Sequence, residues 1–337
     1  MVWLQFALCI VFIGLAGVRL TRYGDAIADK TGLGGTWVGV VLIASVTSLP
    51  ELVTGISSVT VANTPDIAAG DVLGSCVFNL LVIVMLDFLY RTESVYTRAS
   101  QGHILAGGFG VMMIGFTGFN ILLASDGNVL SIGHVGIYSP VIVLLYAIAM
   151  RTVFRYERAQ MKEVVEAEDD QYPHYTLRQV VARYVAAAAV VVAAGAWLPF
   201  VAKDIAVTMA WEESFVGTLL VAFVTSLPEI VVTVAAVRLG SVDIAVGNLF
   251  GSNLFNILIL AVDDVLFLPG DLFSAVDSIH AVSALSAMMM TGVAIVGLLY
   301  RPRTRVLRTV GWTSIFLFCV YLINSYVLFL FNNKPAL

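Results

Sequence analysis

The chain has 337 residues, of which 59% are hydrophobic and 12% charged, with a formal net charge of −5. A soluble domain would carry about 25% charged residues, so this composition excludes an ordinary soluble enzyme and points to a protein of the bilayer. The net charge decides little, because in a membrane chain the sign that matters is local; no nucleic-acid partner is expected.

Ten apolar runs long enough to cross a bilayer are predicted, at 2–20, 36–60, 66–90, 103–124, 133–151, 179–201, 214–237, 243–267, 277–299 and 309–331. They are apolar on all faces and about twice as long as the roughly ten-residue strands of a membrane barrel, so they read as helices. Met1–Leu20 has neither a basic leader region nor a small-residue cleavage site and reads as a retained first span. A turn and a short acidic helix, Gly24–Asp29, close it on the solvated side.

The second run carries Val46-Thr47-Ser48-Leu49-Pro50-Glu51, and the seventh carries Val224-Thr225-Ser226-Leu227-Pro228-Glu229. A carboxylate at mid-membrane depth costs about 2.5–3.5 kcal/mol on insertion scales, so a matched pair of them signals function. The third run places Asp71, Ser75 and Asn79 four residues apart, on one helix face. The eighth does the same with Asn248, Ser252 and Asn256. Between the fifth and sixth runs lies one long polar link, 152–178, with an acidic stretch from Glu163 to Asp170 that reads as a solvated face or linker. Arg301, Arg303, Arg305 and Arg308 form a basic loop near the end. Cys9, Cys76 and Cys319 suit neither a disulfide nor a metal and read as small buried hydrophobes, while His103, His134, His174 and His280 read as lone interfacial residues.

The repeat is longer than its hexapeptides. Val38-Gly39, Leu42 and Ala44 match Val216-Gly217, Leu220 and Ala222; after a one-residue deletion, Asp66-Ile67-Ala68 matches Asp243-Ile244-Ala245. Gly70, Gly74, Ser75, Phe78 and Asn79 then match Gly247, Gly251, Ser252, Phe255 and Asn256. Each half holds five spans, and five is odd, so the second half starts on the opposite side and the repeats are inverted. The fold expected is an all-α membrane protein of ten transmembrane helices: a first five-helix repeat over 1–151, a cytoplasmic linker over 152–178 and a second repeat over 179–331. With the N-terminus outside, all but Lys203 and Lys334 of the 18 basic residues fall on the inner side, which sets both termini outside under the positive-inside rule.

Pro50 and Pro228 cannot donate to the carbonyls four residues earlier, so backbone oxygens around Val46, Thr47, Val224 and Thr225 are partly freed beside each glutamate. Two carboxylates with carbonyls and hydroxyls make an all-oxygen site that suits a hard cation such as Ca²⁺.

The doubled Thr-Ser-Leu-Pro-Glu, each followed by Gly-x-x-Gly-Ser-x-x-x-Asn, resembles the α-repeats of the sodium/calcium exchangers and the wider cation/Ca²⁺ antiporter superfamily, most strongly over 36–83 and 214–260. The resemblance implies a membrane antiporter rather than an enzyme, with Ca²⁺ and Na⁺ as transported ions, no cofactor, and about three Na⁺ moved per Ca²⁺ as spans 1 and 6 slide over the other eight. It implies that Glu51 and Glu229 are the Ca²⁺ carboxylates and also serve Na⁺. Thr47 and Thr225 would add backbone carbonyls. Ala44 and Ala222 would offer carbonyls, and Ser48, Ser226, Ser75 and Ser252 oxygens, to flanking Na⁺ sites; Asn79 and Asn256 would stand at the midplane. Three positions depart from the pattern. Val46 and Val224 replace a usual Gly; Asn256 replaces the Asp of K⁺-dependent members, so K⁺ co-transport is not expected; Asp71 replaces a common Asn and is expected to line the approach to the site. Ca²⁺/H⁺ exchange by the same carboxylates is the alternative, and a channel with a glutamate ring is disfavoured by the inverted repeats.

Overall fold

The computed structural model describes residues 1–30, 44–89, 94–98, 102–127, 129–161, 175–238, 242–301 and 310–332. The repeat matches at 38–42, the acidic stretch 163–170, His174 and the basic residues Arg303, Arg305 and Arg308 lie outside the described residues.

The chain is helical almost throughout. Helix α1, Val2–Lys30, runs straight through Gly24 without the turn expected there. After a helical turn from Ala44, α2 covers Leu49–Ser57 and relaxes into π-helical Ser58–Ala62. Asn63, with φ of 52°, turns the chain into α3, Pro65–Leu89. The single turn α4, Val95–Arg98, precedes α5, Gly102–Ser125. The fifth apolar run opens not as a helix but as a hairpin, β1 Ser131–Ile132 with β2 Val135–Gly136, because Gly133 takes a φ of 67° at its turn; α6 then spans Tyr138–Met161, well into the expected linker.

The second half begins with α7, Leu177–Met209. The next span is built in pieces: α8 Glu213–Val216, π-helical Gly217–Val221, α9 Ala222–Thr225 and α10 Leu227–Arg238, bent by 43° at Ser226. Then come α11 Val242–Leu266, the short α12 Leu272–Ala275, α13 His280–Tyr300 and α14 Trp312–Asn332. Among the described residues eight helices are long and apolar enough to cross a membrane, and the bent α8–α10 pair makes a ninth. The second expected span starts outside the described residues; its described part is the shorter apolar stretch Leu49–Ala62.

Helices α3 and α11 form the centre, with 72% and 78% of their apolar stretches buried. Glycines let backbones touch there. A Cβ at Gly70 would stand 2.8 Å from the Thr218 nitrogen, and one at Gly74 would meet the Thr218 carbonyl and lie 2.7 Å from Ala222 Cβ. Thr47 against Asn248 and Gly55 against Asp263 show that α2 and α11 run side by side in one direction. Gly70 against Thr218 and Ser75 against Thr225 show the same for α3 and the bent span. On the outside of this core, α1 lies along α7.

Contacts recur in matched pairs. Asp87, at the end of α3, accepts hydrogen bonds from Ser94 Oγ (3.2 Å), Val95 N (3.4 Å), Gly311 N (2.8 Å) and Ser314 Oγ (2.8 Å). Asp264, its equivalent on α11, accepts from Leu272 N (2.7 Å), Gly136 N (2.9 Å), Tyr138 Oη (2.7 Å) and Ser139 Oγ. Each carboxylate ties the next helical turn of its own half to the start of the last helix of the other. The equivalents His103 and His280 are likewise not lone interfacial residues. His103 Nε2 lies 3.1 Å from Asp243 Oδ1 and His280 Nε2, fully buried, 3.0 Å from Asp66 Oδ1. Spacing along the chain cannot reveal a partner contributed by the opposite half.

Candidate cation site

Both signature hexapeptides break their helices in the same way. Ser48 has φ −85° and ψ 13°, and Ser226 φ −78° and ψ 2°; each still donates its backbone N–H four residues back, to Ala44 and Ala222, at 3.1 Å. The helices that restart at Leu49 and Leu227 carry Pro in the first turn, where a missing N–H costs nothing. Glu51 and Glu229 occupy those first turns, and the N-terminal ends of helices favour negative charge. The local sequence thus builds two carboxylate-bearing helix starts inside the apolar layer.

The side chains of the two halves interlock. Ser48 Oγ donates to Glu229 Oε1 at 3.1 Å and Ser252 Oγ to the same oxygen at 3.4 Å. Thr47 Oγ1 donates to the Ala44 carbonyl at 3.0 Å and lies 3.3 Å from Ser252 Oγ and 3.4 Å from Asn248 Oδ1. On the other side Thr225 Oγ1 donates to Asp71 Oδ1 at 2.7 Å, the Ser75 hydroxyl is 3.4 Å from Thr225, and Ser226 Oγ donates to Ser75 at 3.1 Å. Asn79 Nδ2 donates to Asn253 Oδ1 at 2.9 Å, and Asn253 Nδ2 to the Cys76 carbonyl at 3.2 Å. Cys76 and Asn253, at equivalent positions of the sequence repeat, thus touch each other.

All thirteen residues singled out from the sequence are buried: Ala44, Thr47, Ser48, Glu51, Asp71, Ser75, Asn79, Ala222, Thr225, Ser226, Glu229, Ser252 and Asn256. Several keep oxygens without a hydrogen-bond partner among the described residues: both of Glu51, one each of Glu229, Asp71 and Asn79, and the whole Asn256 amide. No three His, Cys, Asp or Glu side chains among the described residues converge into a metal site of their own. A bound cation would therefore draw on hydroxyls and freed carbonyls besides carboxylates, as hard cations accept.

A family model described as sodium/calcium exchanger protein matches residues 1–155 and 180–327. The chain belongs to the sodium/calcium exchanger family. It is 26% identical over 256 residues to inner membrane protein YrbG of Escherichia coli strain K12, covering 75% of this chain and 76% of that one. In fold it resembles the crystal structure of the H⁺/Ca²⁺ exchanger CAX, with a TM-score of 0.71 at 14% identity over 98% of this chain and 86% of that one. It also resembles the sodium-calcium exchanger NCX_Mj, with a TM-score of 0.57 at 19% identity over 96% and 98%.

Two details of the site could not be read from spacing along the chain. Asp71 is part of the hydroxyl network, its partner Thr225 coming from the other half. Val46 packs against Ala16 and Leu20 of α1 and Ala187 and Val191 of α7, where a Cβ added at Gly24 would stand 3.6 Å from it, and Val224 is buried in a cluster with residues of α1 and α7. Sequence reasoning missed Asn253, which stands one residue off the four-spaced stripe, and Asp263, hidden beside Asp264 at a span end.

Proposed function

We propose that the protein is a secondary active antiporter that exchanges Na⁺ for Ca²⁺ by alternating access at a mid-membrane site, not an enzyme. In this reading two inverted five-helix repeats, ten transmembrane helices in all, lie in the cell membrane with both termini outside and the 152–178 linker in the cytoplasm. Glu51 and Glu229 are the Ca²⁺ carboxylates. Thr47, Thr225, Ala44 and Ala222 supply carbonyls; Ser48, Ser226, Ser75 and Ser252 supply hydroxyls; Asn79, Asn256 and Asp71 complete the wall. The observation that carries this is the pair of glutamates in equivalent, broken helix starts, fully buried and with free oxygens, Glu229 also reached by Ser48 of the other half. Two carboxylates balance one dehydrated Ca²⁺. Because Na⁺ needs the same oxygens, occupancy by one ion excludes the other, and exchange follows when only the charge-compensated site crosses.

A second reading, Ca²⁺/H⁺ exchange, is favoured by one specific feature. Ser226, Ser75 and Thr225 form a continuous hydroxyl chain that ends on Asp71. Such a chain can pass a proton, and the fold likeness to an H⁺/Ca²⁺ exchanger points the same way. The many uncharged oxygens around the carboxylates favour Na⁺, since a proton needs no coordination shell. Uptake of labelled Ca²⁺ into proteoliposomes separates the two. A Na⁺ gradient at equal pH should drive it; uptake driven by a pH gradient alone, lost in Asp71→Asn, would establish the second reading instead.

A further inference from the structure

We propose that Asp263 is a further cation-binding carboxylate, a transit site for the divalent ion between Glu51 and the membrane face at which α3 begins; this rests on the antiporter reading above. Asp263 is fully buried, and neither of its oxygens has a hydrogen-bond partner among the described residues. Its neighbour shows how a structural carboxylate is treated in this protein: Asp264 accepts four hydrogen bonds, and so does its equivalent Asp87. A buried acid left without donors beside one fully supplied calls for a role other than holding the fold.

Its surroundings place it on the ion path. The Asp263 carboxylate packs on the bare backbone of Gly55; a Cβ there would meet its Oδ2 and lie 2.8 Å from its Oδ1. Gly55 is one helical turn beyond Glu51 on the same face of α2. Along α11, Asp263 is two turns beyond Asn256, whose amide is itself unpartnered. Asp71, on α3, also keeps one oxygen without a hydrogen-bond partner among the described residues. Free oxygens of Asn256, Glu51, Asp71 and Asp263 thus run from the centre of the molecule toward the end shared by the start of α3 and the close of α11.

The chemistry selects the ligand. When ionised, Asp263 adds a negative charge one helical turn along α2 from that of Glu51, which favours a divalent cation over a monovalent one. Its own two oxygens are too few for the six to eight that a dehydrated Ca²⁺ takes, so the ion passes there still carrying water. Asp263 therefore raises the local concentration of Ca²⁺ on one side of the main site and has no equivalent on the other, where Leu86 occupies the matching position.

That asymmetry is the test. Protein of known orientation in proteoliposomes is offered Ca²⁺ from one face at a time, with saturating Na⁺ opposite. Asp263→Asn should raise half-saturating Ca²⁺ roughly tenfold from the face at which α3 begins, and hardly change it from the other. Gly55→Ala, which displaces the carboxylate without removing it, should give a weaker shift of the same sidedness, and it carries the comparison if Asp263→Asn does not fold. Equal shifts from both faces, or none, would overturn the transit site while leaving the antiporter standing. A wild-type protein that moves no Ca²⁺ would instead overturn the antiporter reading and the transit site with it.

Discussion

Glu51 and Glu229 are chemically identical and differently held. Glu229 Oε1 receives Ser48 and Ser252, whereas Glu51 receives no hydrogen bond among the described residues. Glu229→Gln keeps an oxygen to accept both hydroxyls, and Glu51→Gln loses no partner, so both variants should fold. Either leaves one negative charge to meet a divalent ion in a low-dielectric site, and an uncompensated buried charge costs about 3–5 kcal/mol. Ca²⁺ flux should fall by about a hundredfold or more in each, with the melting temperature in detergent little changed; substantial flux in either variant would sink the paired-carboxylate site. The neighbouring Asn79 and Asn256 add no charge, so exchange should run unchanged when K⁺ is replaced by choline. A strict K⁺ requirement would show that an uncharged amide at 256 does not exclude K⁺. These residues were legible because the hexapeptide occurs twice and an acid inside an apolar run is conspicuous. Asp263 was not, because adjacent helical residues point about 100° apart and the sequence cannot say which of two neighbouring acids faces a glycine and which faces four donors.

At the scale of elements, apolar length was enough to read most spans to within a few residues, α3 and α11 among them. It failed where local geometry overrides hydropathy. The hairpin at Gly133 takes the start of the fifth run, and π-helical turns interrupt the spans at Ser58–Ala62 and Gly217–Val221. Nor could it show what the broken spans lean on. Gly17 of α1 lies directly over the Pro228 ring, a Cβ there standing 3.1 Å from Pro228 Cβ and closer still to Cγ. Val46 and Val224 face the same α1–α7 pair. If that pair slides over the core during exchange, Gly17 marks where it must clear the break. Gly17→Ala adds one methyl to this contact, and overpacking costs about 1–3 kcal/mol. When that cost falls unequally on the two access states, turnover drops by roughly tenfold while half-saturating Ca²⁺ stays within about twofold. Transport rates measured against Ca²⁺ concentration decide it: unchanged turnover would remove α1 from the moving parts.

On the scale of the molecule, the two halves are held by contacts that come in equivalent pairs, each crossing from one half to the other. Among these, Asp87 and Asp264 accept four hydrogen bonds apiece, two of Asp87's and three of Asp264's coming from the other half, and so bind the close of a central helix to the start of α14 in one case and α6 in the other. Nothing in the sequence marks them beyond their equivalence, since each looks like a charge at a membrane surface. A central pair fixed at both ends gives the lipid-facing helices a rigid frame to move against. Removing either acid should therefore weaken the frame without touching ion chemistry. Asp87→Ala and Asp264→Ala each strand two buried backbone N–H groups, and each stranded donor costs about 1–3 kcal/mol. Both variants should melt lower in detergent by similar amounts, and the double variant by about the sum, because the two clamps share no partner. Per folded molecule, half-saturating Ca²⁺ should stay at the wild-type value. A change in Ca²⁺ affinity on losing either acid would place it on the ion path, and a strongly unequal loss of stability would mean that the two halves do not share the frame evenly.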